Sequence, residues 1–422
     1  MKPEPLSDFS AFVGIDWADK KHDVCLRADV AGKSEFSVLP NKVEDIDTWA
    51  LKLHKKYPGS IAVAIELLRR PYGLRAAEIR FFCHFSNQSI YTCQIQNSVQ
   101  TQPRKDDPTD AELAIELLCK HPDRFEPLNP QSKELRALSA LTEHRRKLVD
   151  DKVRITSRIR STLKQYYPQV LDWFDRIDTL VFCHFFERWP TLGQVKKART
   201  ATLTTFFGNH NMRRQDVLNR RLLSIKISRP LTEDQGVIIP NRLQVLVLVD
   251  LLRITLASIK LYDEQINELA INHADYKLFE ALPGAGPSLA PRLLVAFGEQ
   301  RNRFASAQDI QKHSGVAPVS ERSGKKCWVH WRWQCPTFLR QTFVEWAAQT
   351  INTSFRAGMF YRQQRDKGCT HQAAVRALAY KWIRILFRCW KTNTPYNESI
   401  YLKALKRRGS PLMNQVADAI SA

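Results

Sequence analysis

The chain has 422 residues, 64 of them Lys or Arg and 43 Asp or Glu, for a formal net charge of +21 and a pI near 9.7. That length allows two or three domains with a sizeable core, and that charge points to a polyanionic partner. The nine cysteines form no Cys-x-x-Cys pair, which argues against a disulfide framework or a structural zinc site and leaves reduced thiols in a cytoplasm as the expectation.

Met1 to Ser10 is polar with two prolines and does not read as a signal peptide. No apolar run reaches membrane-spanning length, so no membrane is expected as a partner. Phe12-Val-Gly-Ile-Asp-Trp17 is then an apolar run that ends on one carboxylate, Asp16. His22 to Val30 follows as a second strand pattern, which predicts a hairpin with Asp16 on its first strand. Gly14 admits a close approach of backbone or ligand beside it. A carboxylate closing a buried strand is unfavourable alone, and a divalent cation is the usual solution.

Further strands are predicted near 34–39, 61–66 and 89–95, and helices near 43–56, 72–83 and 109–120. Together they make a mixed α/β layer domain over residues 1–129. Ile61-Ala-Val-Ala-Ile-Glu66 is a second apolar strand ending in an acid. Lys105-Asp-Asp-Pro-Thr-Asp-Ala111 opens a helix and sets Asp107 and Asp110 on one face. Asp16, Glu66, Asp107 and Asp110 have the chemistry of a two-metal site for phosphodiester reactions. A structural reading stands beside it: Asp107 before Pro108 is a good N-cap, with Asp110 as its capping-box partner. Asp106 leaves the register of this pair open by one residue. Charge divides at the same boundary. Residues 1–129 hold 17 basic and 19 acidic side chains, a net of −2, and the rest holds 47 and 24, a net of +23.

The segment 130–275 carries two long helical patterns. Leu141, Leu148 and Ile155 repeat at spacing seven, and so do Val245, Leu252, Ile259 and Ile266. The helices are predicted over 132–166 and 242–273, forming a coiled-coil arm within the chain or between chains. Between them, 168–240 reads as an insert of short aromatic helices with no assigned role. Leu282-Pro-Gly-Ala-Gly-Pro-Ser-Leu-Ala290 opens a mostly helical domain, 276–400, and resembles a helix-hairpin-helix, whose N–H groups contact phosphates. Helices are expected at 306–313, 336–353 and 371–390, before a basic tail, 401–422. Lys325-Lys-Cys-Trp-Val-His-Trp-Arg-Trp333 interleaves cations and rings. It suits base stacking with phosphate contacts, or equally a strand that packs its tryptophans inward.

These motifs, in this order, carry a resemblance. Phe12 to Trp17, Val63-Ala-Ile-Glu66 followed by Tyr72-Gly73, Asn97, and Lys105 to Ala111 resemble the N-terminal domain of the insertion-sequence family one-ten transposases. Leu282 to Gly286, Phe304-Ala-Ser306, His313-Ser-Gly-Val-Ala-Pro318 and Arg322-Ser323-Gly324 resemble its second domain. The resemblance covers most of the chain but not 168–240. It implies an RNase H-like, resolvase-like N-terminal fold in which Asp16, Glu66, Asp107 and Asp110 bind Mg²⁺ or Mn²⁺. It further implies that Ser323 is the nucleophile that holds DNA covalently. A structured guide (bridge) RNA would pair with donor and target DNA in a homodimer or homotetramer, in a bacterial, nucleoid-associated setting. Leu67-Leu-Arg-Arg-Pro71 departs from the small residues the family has after its glutamate. Two other readings are a metal-dependent junction nuclease without a covalent intermediate and a non-catalytic RNA- or DNA-binding relative.

Overall fold

The computed structural model describes residues 6–16, 18–65, 82–86, 107–122, 131–212, 214–324, 326–333 and 335–409. They belong to two compact units, Met1–Pro130 and Gln131–Ala422. The first is a mixed sheet: β1 (Phe9–Asp16), β2 (Lys21–Arg27), β3 (Glu35–Pro40), β4 (Ser60–Ile65) and β5 (Phe82–Ser86), in the order β3-β2-β1-β4-β5. The hairpin strands β1, β2 and β3 pair antiparallel, and β1, β4 and β5 pair parallel.

β1 is the central strand and has a helix on each face, which is why its apolar residues run almost without a break. Ala11, Val13 and Ile15 pack with α1 (Val43–Lys56) through Ile46, Ala50 and Leu53. Those three residues recur at helical spacing. Acids in the first turn of α1 and Lys55 and Lys56 in the last complement its dipole. Phe9 and Phe12 pack with α2 (Asp107–Lys120) through Ala111, Ile115 and Leu118. Two expectations are corrected. β2 stops at Arg27 rather than Val30, because Asp29 closes a turn by accepting from the N–H of Ala31 at 2.9 Å. Of the helix expected near 72–83, Phe82 and Cys83 belong instead to β5, whose aromatic, β-prone residues pair with β4, and the rest lies outside the described residues. The strand expected near 89–95 lies outside the described residues.

The second unit is built on two long helices, α3 (Lys133–Tyr166) and, after a run of short helices, α9 (Gln235–Ile271). The short ones are α4 (Val170–Trp173), α5 (Leu180–Arg188), α6 (Leu192–Lys197), α7 (Thr200–Asn209) and α8 (Gln215–Ile227). α3 and α9 run antiparallel within the chain. Ile159 and Leu163 meet Val245, Leu248 and Leu252 at one end, and Leu135 and Leu138 meet Ile266 and Ala270 at the other. α9 starts at Gln235, seven residues before the expected Arg242, and carries Pro240 in its second turn. Asp234 caps it by accepting from Gly236 at 2.7 Å. The insert is an aromatic core: Trp173, Phe174, Phe185, Phe206 and Phe207 meet at ring distances of 5.0 to 6.2 Å.

The rest of this unit is α10 (Tyr276–Glu280), α11 (Gly286–Phe297), α12 (Ala307–His313), the hairpin β6 (Val319–Ser323) and β7 (Lys326–His330), then α13 (Thr337–Thr353), α14 (Phe355–Asp366), α15 (His371–Thr392) and α16 (Glu398–Arg407). Three buried tryptophans fix it, each ring N–H satisfied: Trp346 to Pro283 O, Trp382 to Thr350 Oγ1 and Trp390 to Gly298 O, at 2.8 to 3.0 Å. α10 and α11 form a helix, glycine turn and helix, with Gly284 and Gly286 at positive φ. No helix of the described residues is long and apolar enough to cross a membrane. Among those residues Cys25, Cys83, Cys119, Cys183, Cys335, Cys369 and Cys389 carry free thiols.

Candidate active site

Two candidate sites follow, one in each unit. In the first, Gly14 explains how α2 reaches the sheet. A Cβ on Gly14 would stand 1.9 Å from the carbonyl oxygen of Ala111, so only glycine lets the helix backbone touch β1. Asp16, two residues on, leaves the same face of the strand. Further along α2, Glu112 accepts from Arg27 at 2.9 Å and Glu116 lies 3.7 Å from it, and Arg27 pairs with Phe12. The helix therefore runs back along the strand and leaves its first turn at the Asp16 end. Ser34 also donates to Glu112 at 2.5 Å. The Ser34 bond, with help from Arg27, holds the Glu112 carboxyl below its usual range.

Register adds an acid that sequence reading missed. Asp23 on β2 faces Asp16 directly across the antiparallel pair and is buried. Like charges directly opposite are unfavourable, so this pair calls for a counter-charge. The six-residue span between them and the β2 alternation were the available signal. Asp110 lies half-buried in the first turn of α2, just before Ala111. The side chain of Asp107 and all of Glu66 lie outside the described residues. β4 ends at Ile65, which pairs with Ile15, the residue before Asp16. Among the described residues no group of three or more His, Cys, Asp or Glu stands at metal-binding spacing. The candidates that are described, Asp16, Asp23 and Asp110, are carboxylates, a residue type that suits a hard divalent cation, but they do not stand together at metal-binding spacing.

The second site is the β6–β7 hairpin. Its register runs from Val319↔His330 to Ser323↔Lys326, so the chain turns directly after Ser323, at Gly324. Gly324 sits at φ +59, a left-handed conformation natural to glycine in such turns. Ser323 is thus the last strand residue before the tip, exposed, and its hydroxyl makes no hydrogen bond within the described residues. Arg322 and Lys326 flank it without a carboxylate partner among those residues. Glu321 instead lies 3.3 Å from His330. Two of the tryptophans do not pack inward, Trp328 at 45 % and Trp333 at 80 % exposed, whereas Trp331 is half-buried.

The base of the hairpin is fixed by the stretch His313 to Pro318. Gln311, fully buried, donates to Tyr380 O at 2.8 Å, and its own carbonyl accepts from Ala317 at 2.9 Å. Arg332 Nε donates to Ala317 O. Gly315, at φ +69, leaves room for Cys335, whose sulfur would stand 2.3 Å from any Cβ there. A mobile-looking loop sequence is therefore a pinned arm that presents Ser323 to solvent.

Comparison with known proteins matches two segments of the chain. A transposase model of the IS110 DEDD class matches residues 13–168, and a model described as transposase of the IS116/IS110/IS902 family matches 276–362. A mini-circle protein of Streptomyces coelicolor named for IS117 transposition is 25 % identical over 421 residues, covering 97 % of this chain and 99 % of its own. The 44.8 kDa protein of insertion element IS116 from Streptomyces clavuligerus is 25 % identical over 387 residues, covering 89 % and 93 %. The 43.6 kDa protein of IS110 from S. coelicolor is 25 % identical over 268 residues, covering 61 % and 64 %. The DEDD class of the first domain points to a divalent metal ion. With both domain models in order along it and a relative aligned from end to end, this chain belongs to the IS110 family of insertion-sequence transposases.

Proposed function

We propose that this transposase is an RNA-guided DNA recombinase in which Ser323 attacks a DNA phosphodiester and keeps the strand as a phosphoserine ester. One observation carries the reading. Ser323 stands at the tip of a rigidly based, basic hairpin, with its hydroxyl unengaged and Arg322 and Lys326 beside it. Serine is a weak nucleophile at neutral pH and needs help. The two cations would stabilise charge on the phosphorus oxygens as the fifth bond forms. Attack moves the hydroxyl proton to a base and the leaving 3′- or 5′-oxygen off phosphorus, so one ester replaces another and the bond is conserved for rejoining.

We read the strand order 3-2-1-4-5 of the first unit as RNase H-like. Asp16, Glu66, Asp107 and Asp110 are its metal-binding acids, with Asp23 beside Asp16. A divalent ion there would neutralise phosphate charge and polarise the bond being broken. The exposed start of α11, Gly286 to Ser288, is read as the phosphate contact of a helix-hairpin-helix. Donor and target DNA are the substrates, a structured guide RNA selects them, and the working form is a homodimer or homotetramer.

The test is to react the protein with labelled DNA, denature it, digest it and map the adduct by mass spectrometry. The expected adduct is on Ser323 and is lost in Ser323→Ala. Full recombination by Ser323→Ala, or an adduct on another residue such as Ser320, would overturn the assignment. The Asp16–Asp23 pair supports a second reading, a junction nuclease that cuts with water. Cleavage that leaves no adduct would favour it.

A further inference from the structure

Beyond the hairpin tip, its base holds a feature the proposed reaction does not use. Trp331 follows β7 directly and is half-buried. The guanidinium of Arg340, in the first turn of α13, lies 4.7 Å from its ring centroid, and that of Arg376, on α15, lies 4.2 Å away. Arg340 is further fixed by donating to Arg332 O at 3.2 Å. Two guanidinium groups thus share one indole, and neither has a carboxylate partner among the described residues. Other arginines on buried surfaces of this unit are paired with acids, Arg292 and Arg146 with Glu345, Arg145 with Asp263 and Arg301 with Asp275, while Arg221 and Arg356 each stack on two rings without an ion pair among those residues. Burial, and then the neighbouring Arg340, disfavour the Arg376 cation. Two like charges brought together from two separate helices, with no carboxylate between them among the described residues, would be relieved by an anion.

We propose that Trp331, Arg340 and Arg376 form a phosphate clamp that grips the backbone of the DNA strand attacked at Ser323. The proposal rests on the serine reading for its choice of strand. Arginine suits the role because its planar fork binds a phosphate through two N–H groups while its face stays on the ring. Placement favours DNA at the reacting strand. Lys326, the register partner of Ser323, lies five residues before Trp331, which is roughly 16 Å of extended strand. Measured along a duplex axis, that is about five base steps. Trp333, nearly bare at the same end, offers a ring for an unpaired base.

The experiment uses the full chain in a Ser323→Ala background, with binding of a fluorescein-labelled DNA duplex followed by anisotropy across a salt series. Arg340→Gln and Arg376→Gln should each reduce the slope of log K against log salt by roughly 0.7–0.9. Together they should weaken binding at least about tenfold. Arg376→Lys should keep the slope while losing part of the affinity, because it keeps the charge without the flat face. Unchanged slopes in both Gln variants overturn the clamp, and so does an equal loss in Arg376→Lys, which marks a packing role. A second measurement needs no variant. Phenylglyoxal modification of the native protein, read by mass spectrometry, should spare Arg340 and Arg376 when the DNA duplex is bound. Protection by RNA but not by the duplex overturns the proposal. Because the background carries no serine hydroxyl, failure of the adduct experiment leaves these readouts untouched, and failure here leaves the adduct in place.

Discussion

Asp178 shows how single charges hold the insert to the long helices. It accepts from Lys152 of α3 at 2.9 Å and from Arg176 at 3.1 Å. Burial pushes its carboxyl up, but Arg176 and Lys152 together outweigh burial and hold it down at about 2. A depressed folded-state value means the contribution is complete above the unfolded range, near 4, and is lost as pH falls through about 2. We expect the denaturant midpoint to fall between about pH 4 and pH 2, and Asp178→Asn to flatten that fall. Equal acid sensitivity in the two proteins would contradict the assignment. Glu345 is a different case: it serves the buried Arg292 at 2.6 Å and Arg146 at 3.0 Å, and so joins α3, α11 and α13 through one carboxylate.

At the scale of elements, the docking of α2 on β1 governs the first candidate site. A methyl on Gly14 would meet backbone, which cannot step aside as a side chain can. Gly14→Ala is therefore expected to destabilise the first unit by about 1–3 kcal/mol and to displace the first turn of α2. Circular dichroism melting with hydrogen exchange on 107–120 would check it; wild-type exchange there would count against the packing described. Sequence made β1 legible, because a strand buried on both faces is written as an unbroken apolar run. The close contact at Gly14 was also foreshadowed. β5 was not legible, since its parallel pairing with β4 is non-local and Phe82-Cys83 fits the end of a helical pattern equally well. Pro240 hid the first two turns of α9, where a proline reads as a stop. In the hairpin, Gly324 marked the turn, yet Ser323 stood out only through resemblance, because nothing local separates it from an ordinary turn serine. The Trp331 cluster draws on three distant segments, a proximity that composition and spacing do not encode.

For the molecule as a whole, the charge split is the dominant fact: −2 over residues 1–129 against +23 beyond. A structured RNA is expected to bind with steep salt dependence, each neutralised phosphate adding roughly 0.7–0.9 to the slope. Lysine footprinting with bound RNA should protect residues past 130, and protection confined to the first unit would refute the electrostatic account. The paired helices add a length to this picture. The 34 residues of α3 span roughly 50 Å at 1.5 Å each, with the aromatic insert seated at one end and the helical core that carries the β6–β7 hairpin at the other. Such a strut is a ruler. Whatever nucleic acid touches both ends must do so at points about 15 base steps apart, and lengthening both helices by one heptad would move that interval by about three steps.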